Sequence, residues 1–376
     1  MQTPTWGPWL FGARTDLALF LGSSVVALAI GSFGRALGVL ALPDGAWILL
    51  VLGIDVAHVH ATWFRTYFDT AELRRRPLRY ALLPILAYGV CFFAYQQGAL
   101  NFWRGLAYLA VFHFVRQQVG WVALYRSRER RHSRFERVID EGAVYAATLY
   151  PLLVWHAHSA EKGFSWFVPG DFVSLPLGAW LPALELVWFG ALALFFLREG
   201  LRFARTRELL LGKSLIVACT ALTWHVGIVD NESDFMFTAS NVIPHGVPYV
   251  WLLFAYTRER SRERPSWGLG QLATAGVMSF ALVLVALAFT EQLAWDRFVD
   301  HERSWLFGAS SALSDGLLEW IVPLLALPQA VHYLLDGVLW RRVEVRDNSA
   351  LRAAIAAASP GRDKLSEPLG LEVPAK

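Results

Sequence analysis

Stretches of about twenty apolar residues recur along almost the whole chain, each long enough to cross the hydrocarbon core of a bilayer. A backbone inside hydrocarbon must satisfy its own N–H and C=O groups, and helices do this within a single segment. Only 17% of the 376 residues are charged, against about 25% in ordinary soluble domains. The 17 Trp and 25 Phe suit the aromatic belts of a membrane protein. The chain therefore reads as all-α, a polytopic integral membrane helical bundle.

Ten spans are expected, at 16–34, 45–66, 78–97, 101–126, 138–158, 178–198, 214–230, 242–258, 268–290 and 314–341. Arginine clusters at Arg74 to Arg76, Arg126 to Arg137, Arg198 to Arg207 and Arg258 to Arg264 alternate with neutral or acidic loops. With ten spans and both termini cytoplasmic, every cluster falls on the cytoplasmic side, together with Arg341, Arg342 and Arg346. The opposite loops then carry Asp44, Glu161 with Lys162, Asp230, Glu232, Asp234, Asp296, Asp300 and Glu302. This separation follows the positive-inside rule. A multi-pass protein of a bacterial inner membrane is the expected setting.

Residues 1–346 form one transmembrane domain, and 347–376, richer in Pro, Ser and charge, read as a flexible cytoplasmic tail. The first apolar run, from Leu17, has no small-residue cleavage pattern behind it and reads as the first span. The basic clusters flank apolar spans and form no single basic face, so no nucleic-acid partner is expected.

Polar residues inside the spans carry the functional information. His58, His60, His113, His225, His245 and His332 lie in otherwise apolar stretches, with Asp55, Asp336, Arg116 and Gln117 beside them. Ionisable groups at membrane depth are costly and need partners, water or metal. Counting 1.5 Å per residue back to the nearest basic residue puts His58 and His60 about 8–10 Å deep, His332 about 13 Å, and His113, His225 and His245 about 18–20 Å.

Helical phase groups these residues, because positions i, i+3 and i+4 share a face. Asp55 points with His58; His113 with Arg116 and Gln117; Asn241 with His245; Gln329 with His332 and Asp336. Four helices thus each offer a polar stripe with one histidine, which is how bundle cores build metal sites. His58 and His60 are two apart and face opposite ways, and His58 is preferred because it shares a face with Asp55. Arg116 must be paired, and Asp55 lies at a matching depth, with Asp336 or Glu141 as other partners. Prolines Pro244 and Pro248 around His245 point to a kinked or broken helix, which at membrane depth is tolerated where it lines a cavity. His156 and His158 read as interfacial, and His132 and His301 as solvated.

Imidazoles with carboxylates and no thiolate suit iron, zinc, copper or manganese, with iron the first expectation. Cys91 and Cys219 have no disulfide or thiolate-site spacing. No span holds a lysine for a Schiff base, and no Walker A, G-x-S-x-G or H-E-x-x-H pattern occurs. The candidate ligands are His58, His60, His113, His225, His245, His332 and Asp336; Asp55, Arg116, Gln117 and Asn241 are expected to orient ligands, water or substrate. The expected activity is oxidation, by hydroxylation or desaturation, of a lipid or other hydrophobic molecule reached from the bilayer, with an electron donor as partner. A haem protein with two axial histidines, and a proton-coupled transporter using the same His, Asp and Arg network, are the alternatives. In general outline the chain is similar to the histidine-rich integral-membrane hydroxylases and desaturases. Their H-x-x-x-H and H-x-x-H-H boxes are absent, so no substrate or cofactor is carried over.

Overall fold

The apolar runs fold as helices in the computed structural model, which describes residues 5–129, 133–158, 164, 166–167, 169–263, 270–340 and 348–356. Seven helices are both long and apolar enough to cross a membrane: α1 Ala13–Ala36, α2 Asp44–Arg65, α3 Pro77–Gln96, α6 Gly178–Thr206, α7 Leu211–Val229, α9 Val277–Asp300 and α10 Asp315–Leu339. Three more are as long but more polar, namely α4 Ala99–Arg126, α5 Arg134–Ala157 and α8 Asp234–Glu263. The described residues otherwise hold short helices and one parallel pairing of two-residue strands, Thr5–Trp6 with Glu208–Leu209.

Position in the bundle accounts for this split. Helices α3 and α6 lie at the periphery and expose Leu78, Ile85, Val90, Leu186 and Val187, side chains that only lipid would cover. Helices α4 and α8 lie inside, where protein neighbours satisfy polar groups, so their sequences can be less apolar. Gly31 lets α1 press on α8: a Cβ there would sit 2.4 Å from Met236 Sδ.

Several boundaries move from their expected places. Helix α8 begins at Asp234, eight residues before the expected span at 242, and runs unbroken through Pro244 and Pro248. The last span is two helical segments, Asp315–Leu325 and Leu327–Leu339, joined at Ala326. Pro328 lacks the N–H that would continue the ladder across that joint. Helix α9 begins at Val277, nine residues after the expected 268. Part of the expected flexible tail is a helix, Ser349–Ala356, packed on α8 with Ala350 and Leu351 fully buried. Ala350, Leu351, Ala354 and Ile355 make the apolar stripe that composition alone hid. His132, Glu161, Lys162, Arg341, Arg342, Arg346 and 357–376 lie outside the described residues.

The basic side of the bundle is closed by an ion network. Lys213, 1% exposed in its side chain, lies 2.7 Å from Glu129, 3.1 Å from Asp140 and 3.5 Å from Glu199. Arg198 contacts Asp140 and Glu199, Arg202 contacts Glu129 and Glu136, and Arg126 contacts Asp140 and Glu141. Three helices, α5, α6 and α7, are tied to the end of α4 in this way.

Candidate metal centre

Four helices from different parts of the chain meet at one point in the interior. Each brings one histidine: His58 from α2, His113 from α4, His245 from α8 and His332 from α10, all no more than 2% exposed. His245 Nε2 lies 3.1 Å from His113 Nε2 and 3.2 Å from His58 Nε2. One ring nitrogen from each of His58, His113 and His332 lies within 4.8 Å of the others. His332 Nε2 is buried with no hydrogen-bond partner. These are the four histidines carried by the four polar stripes of the sequence.

Local sequence explains the convergence. Gly246 lets α8 reach α2, since a Cβ at that position would lie 2.6 Å from Ile54 Cγ2. Helix α2 is π-helical over Ile48–Val56 and regains α geometry at Ala57–Ala61. Such π turns are frequent at functional sites because they shift the helical phase. The His245 ring stacks on Phe114 at 3.8 Å and 9°, and Gln117 Nε2 donates to the His245 carbonyl at 2.8 Å.

Behind the rings lies a layer of acceptors. Asp55 Oδ1 is 3.7 Å from His58 Nδ1, and Asp336 Oδ2 is 3.6 Å from His113 Nδ1. His332 Nδ1 is 2.7 Å from Thr62 Oγ1. Of these, only the Thr62 contact is a hydrogen bond, and an acceptor at Nδ1 favours the His332 tautomer that leaves Nε2 bare; the two carboxylates stand just beyond hydrogen-bond reach. Asp336 thus stands behind a histidine and does not face the convergent nitrogens. Its Oδ1 is occupied by Tyr249 Oη at 2.6 Å and Trp340 Nε1 at 3.1 Å.

Other expected members fall elsewhere. His60 points away from the cluster, as its two-residue offset requires, with Nε2 3.0 Å from Glu291 Oε2 on α9. His225 is outside the site: its ring stacks on Trp188 at 5.0 Å, and its Nε2 lies 3.4 Å from Asp230. Depth along α7 matched the others, but its face turns to α5 and α6. The expected Arg116–Asp55 pair does not form; Arg116 donates to Tyr145 Oη at 2.7 Å on the opposite flank of α4. Glu141, another expected partner, is taken by Arg126 and Arg137. Asn241 donates to the Phe237 carbonyl at 2.8 Å and, with His245, Gln118, Thr220 and Ser240, lines a small polar cavity beside the cluster. His156, at the end of α5, bonds Leu152 O and Tyr108; His158 bonds Val154 O, and His301 is exposed.

Two neighbours of the cluster, and the carboxylate that faces His60, escaped the sequence reading. Thr62 and Tyr249 stand four residues after His58 and His245, so the same i+4 rule, extended to hydroxyls, finds both. Glu291 is the single carboxylate in the apolar run from Val277 to Ala294, which was signal enough. No protein-family model, curated protein or solved structure matches the chain.

Proposed function

We propose that the four histidines hold a single divalent metal ion, and that the chain is a membrane metalloenzyme oxidising a lipid or other hydrophobic molecule. The observation that carries the reading is the convergence of buried imidazole nitrogens. Two ligand nitrogens bound at 2.0–2.1 Å to one tetrahedral ion stand about 3.3 Å apart, close to the 3.1 and 3.2 Å between His245 and its neighbours. Without an ion, a single proton on His245 Nε2 can serve only one of its two imidazole neighbours, and the other contact stays unsatisfied in a buried site, an arrangement that costs free energy.

Charge balance supports the same reading. A dication among neutral imidazoles would be compensated by Asp55 and Asp336, each behind a ligand ring. All-imidazole sites suit zinc, copper, iron or nickel, and of these iron and copper are the redox-active members suited to oxidation. When bound, such an ion supplies the redox and oxygen chemistry. The chain's own part is to orient the rings, to exclude water by burying them and to bring an apolar substrate from the lipid. The nitrogen separations leave room for one ion and speak against a haem, which would need its macrocycle between the axial rings.

We place the chain across the membrane ten times, with its arginine clusters and both termini on the cytoplasmic face. The alternation of basic and acidic loops supports this, and α4, α5 and α8 complete the set of ten as interior spans. Elemental analysis of the full chain in mild detergent, with an absorption spectrum, tests the metal reading. About one equivalent of metal without a Soret band is expected. Under about a tenth of an equivalent, unaltered after reconstitution with metal, would remove it.

A further inference from the structure

His332 reaches Asp336 through two hydroxyl groups, and donor counting fixes the direction of every bond on the way. Thr62 Oγ1 lies 2.7 Å from His332 Nδ1 and 2.7 Å from Tyr249 Oη, and Tyr249 Oη lies 2.6 Å from Asp336 Oδ1. All of these except Asp336 are buried to 2% exposure or less, and the Asp336 side chain is only 7% exposed. Trp340 Nε1, which can only donate, also points at Asp336 Oδ1 from 3.1 Å. As an ionised carboxylate Asp336 only accepts, and the single Tyr249 proton goes to its Oδ1. Tyr249 Oη then accepts from Thr62, which spends the single Thr62 proton. Thr62 can only accept from His332, so the proton of that ring sits on Nδ1 and Nε2 is left as a lone pair.

We propose that Thr62 and Tyr249 are positioning residues: they form a one-way hydrogen-bond relay from His332 Nδ1–H to Asp336 that locks His332 in its metal-binding tautomer. Asp336 Oδ2 faces His113 Nδ1 at 3.6 Å. One carboxylate therefore fixes His332 through Tyr249 and Thr62 and stands beside His113, just beyond hydrogen-bond reach. Three helices, α2, α8 and α10, contribute to the relay. The orientation of His332 is thus tied to the packing of these three helices. His332 Nε2 has no other hydrogen-bond partner, which is what a lone pair held for a cation requires.

The relay rests on the metal reading for its purpose but not for its geometry, and the test separates the two. Zinc ion alone is the probe, titrated into the metal-free full chain against a competing chelator. Thr62→Val and Tyr249→Phe should each weaken zinc retention by roughly 10- to 100-fold, whereas Thr62→Ser, which keeps the hydroxyl, should stay near wild type. The tautomer is read separately by NMR of isotope-labelled histidine in the metal-free chain, with the His332 signal assigned by its loss in His332→Gln. The Nδ1–H form is expected in wild type and Thr62→Ser, and loss of that single form in Thr62→Val. Equal zinc affinity in wild type, Thr62→Val and Tyr249→Phe would overturn the relay and leave the metal centre standing. An Nε2–H form in wild type would also overturn it, and this needs no variant to fold. Absence of zinc binding in wild type with His332 found as Nδ1–H would instead keep the relay and remove the metal.

Discussion

Two of the buried polar clusters among the described residues, one around Lys213 and one around His245, differ in whether their charges close on themselves. Around Lys213 and Asp140, each charged group has an opposite charge within ion-pair distance. Its charges are therefore paired by protein groups. Around His245 the facing groups are alike: imidazole nitrogens approach imidazole nitrogens, while the carboxylates stand behind. Burial is nearly the same in both, with Lys213 and His245 each 1% exposed. The lesson is that the sign and direction of buried polar groups, more than their number or depth, separates a cluster whose charges pair from one whose like groups face each other.

The strongest way to break this comparison is to remove one converging ring. His113→Ala or His332→Ala should reduce bound metal from about one equivalent to under roughly a tenth, because a structural ion contributes much of its binding energy through each ligand. Elemental analysis of monodisperse protein reads the result, and unchanged occupancy in both variants would make the histidines part of a polar core only. Next in size is the ion network. Lys213→Met leaves Asp140 and Glu199 buried with less compensation, and should cost about 3–5 kcal/mol of stability. Denaturant titration in detergent would show this, while metal per folded chain should remain that of wild type. A loss of metal in proportion to stability would erase the distinction between the two clusters.

Much of this site was legible because helical phase is local. Asp55 with His58, and His332 with Asp336, follow from spacing alone, and the structure keeps both groupings. Which side of a helix meets which neighbour is not local. His225 has the right depth and the wrong direction, and no count along α7 reveals that its face meets Trp188 and Tyr150. Arg116 failed for a related reason. Positions i+3 and i+4 from His113 straddle the ring, so Gln117 reaches His245 while Arg116 turns to Tyr145. The interior helices α4 and α8 were anticipated by length and basic flanks, although they are too polar to stand out by apolarity. The polarity that blurs them as spans is what the site is made from.

A smaller effect tests how the rings are brought together without touching any of them. Gly246→Ala places a methyl group 2.6 Å from Ile54 Cγ2. Overpacking of this kind costs about 1–3 kcal/mol, and it should push α8 from α2 and so weaken metal retention as well. Ile54→Ala combined with Gly246→Ala should recover both properties, because the clashing methyl is gone. Metal retention in Gly246→Ala equal to wild type, at reduced stability, would show that helix approach and site geometry are independent.

His225 sharpens the comparison from the other side, since it is a membrane-depth histidine that belongs to neither cluster. Its side chain is 22% exposed, its ring rests against Trp188, and Asp230 Oδ2 lies 3.4 Å from Nε2. Removing it leaves no buried charge unpaired, because Asp230 is 57% exposed. His225→Ala should therefore cost within about 1 kcal/mol, mostly lost ring stacking, and leave metal content at the wild-type level. If metal falls in this variant as it does in His113→Ala, then α7 contributes to the centre. Convergence of the four histidines would then be insufficient to define the site.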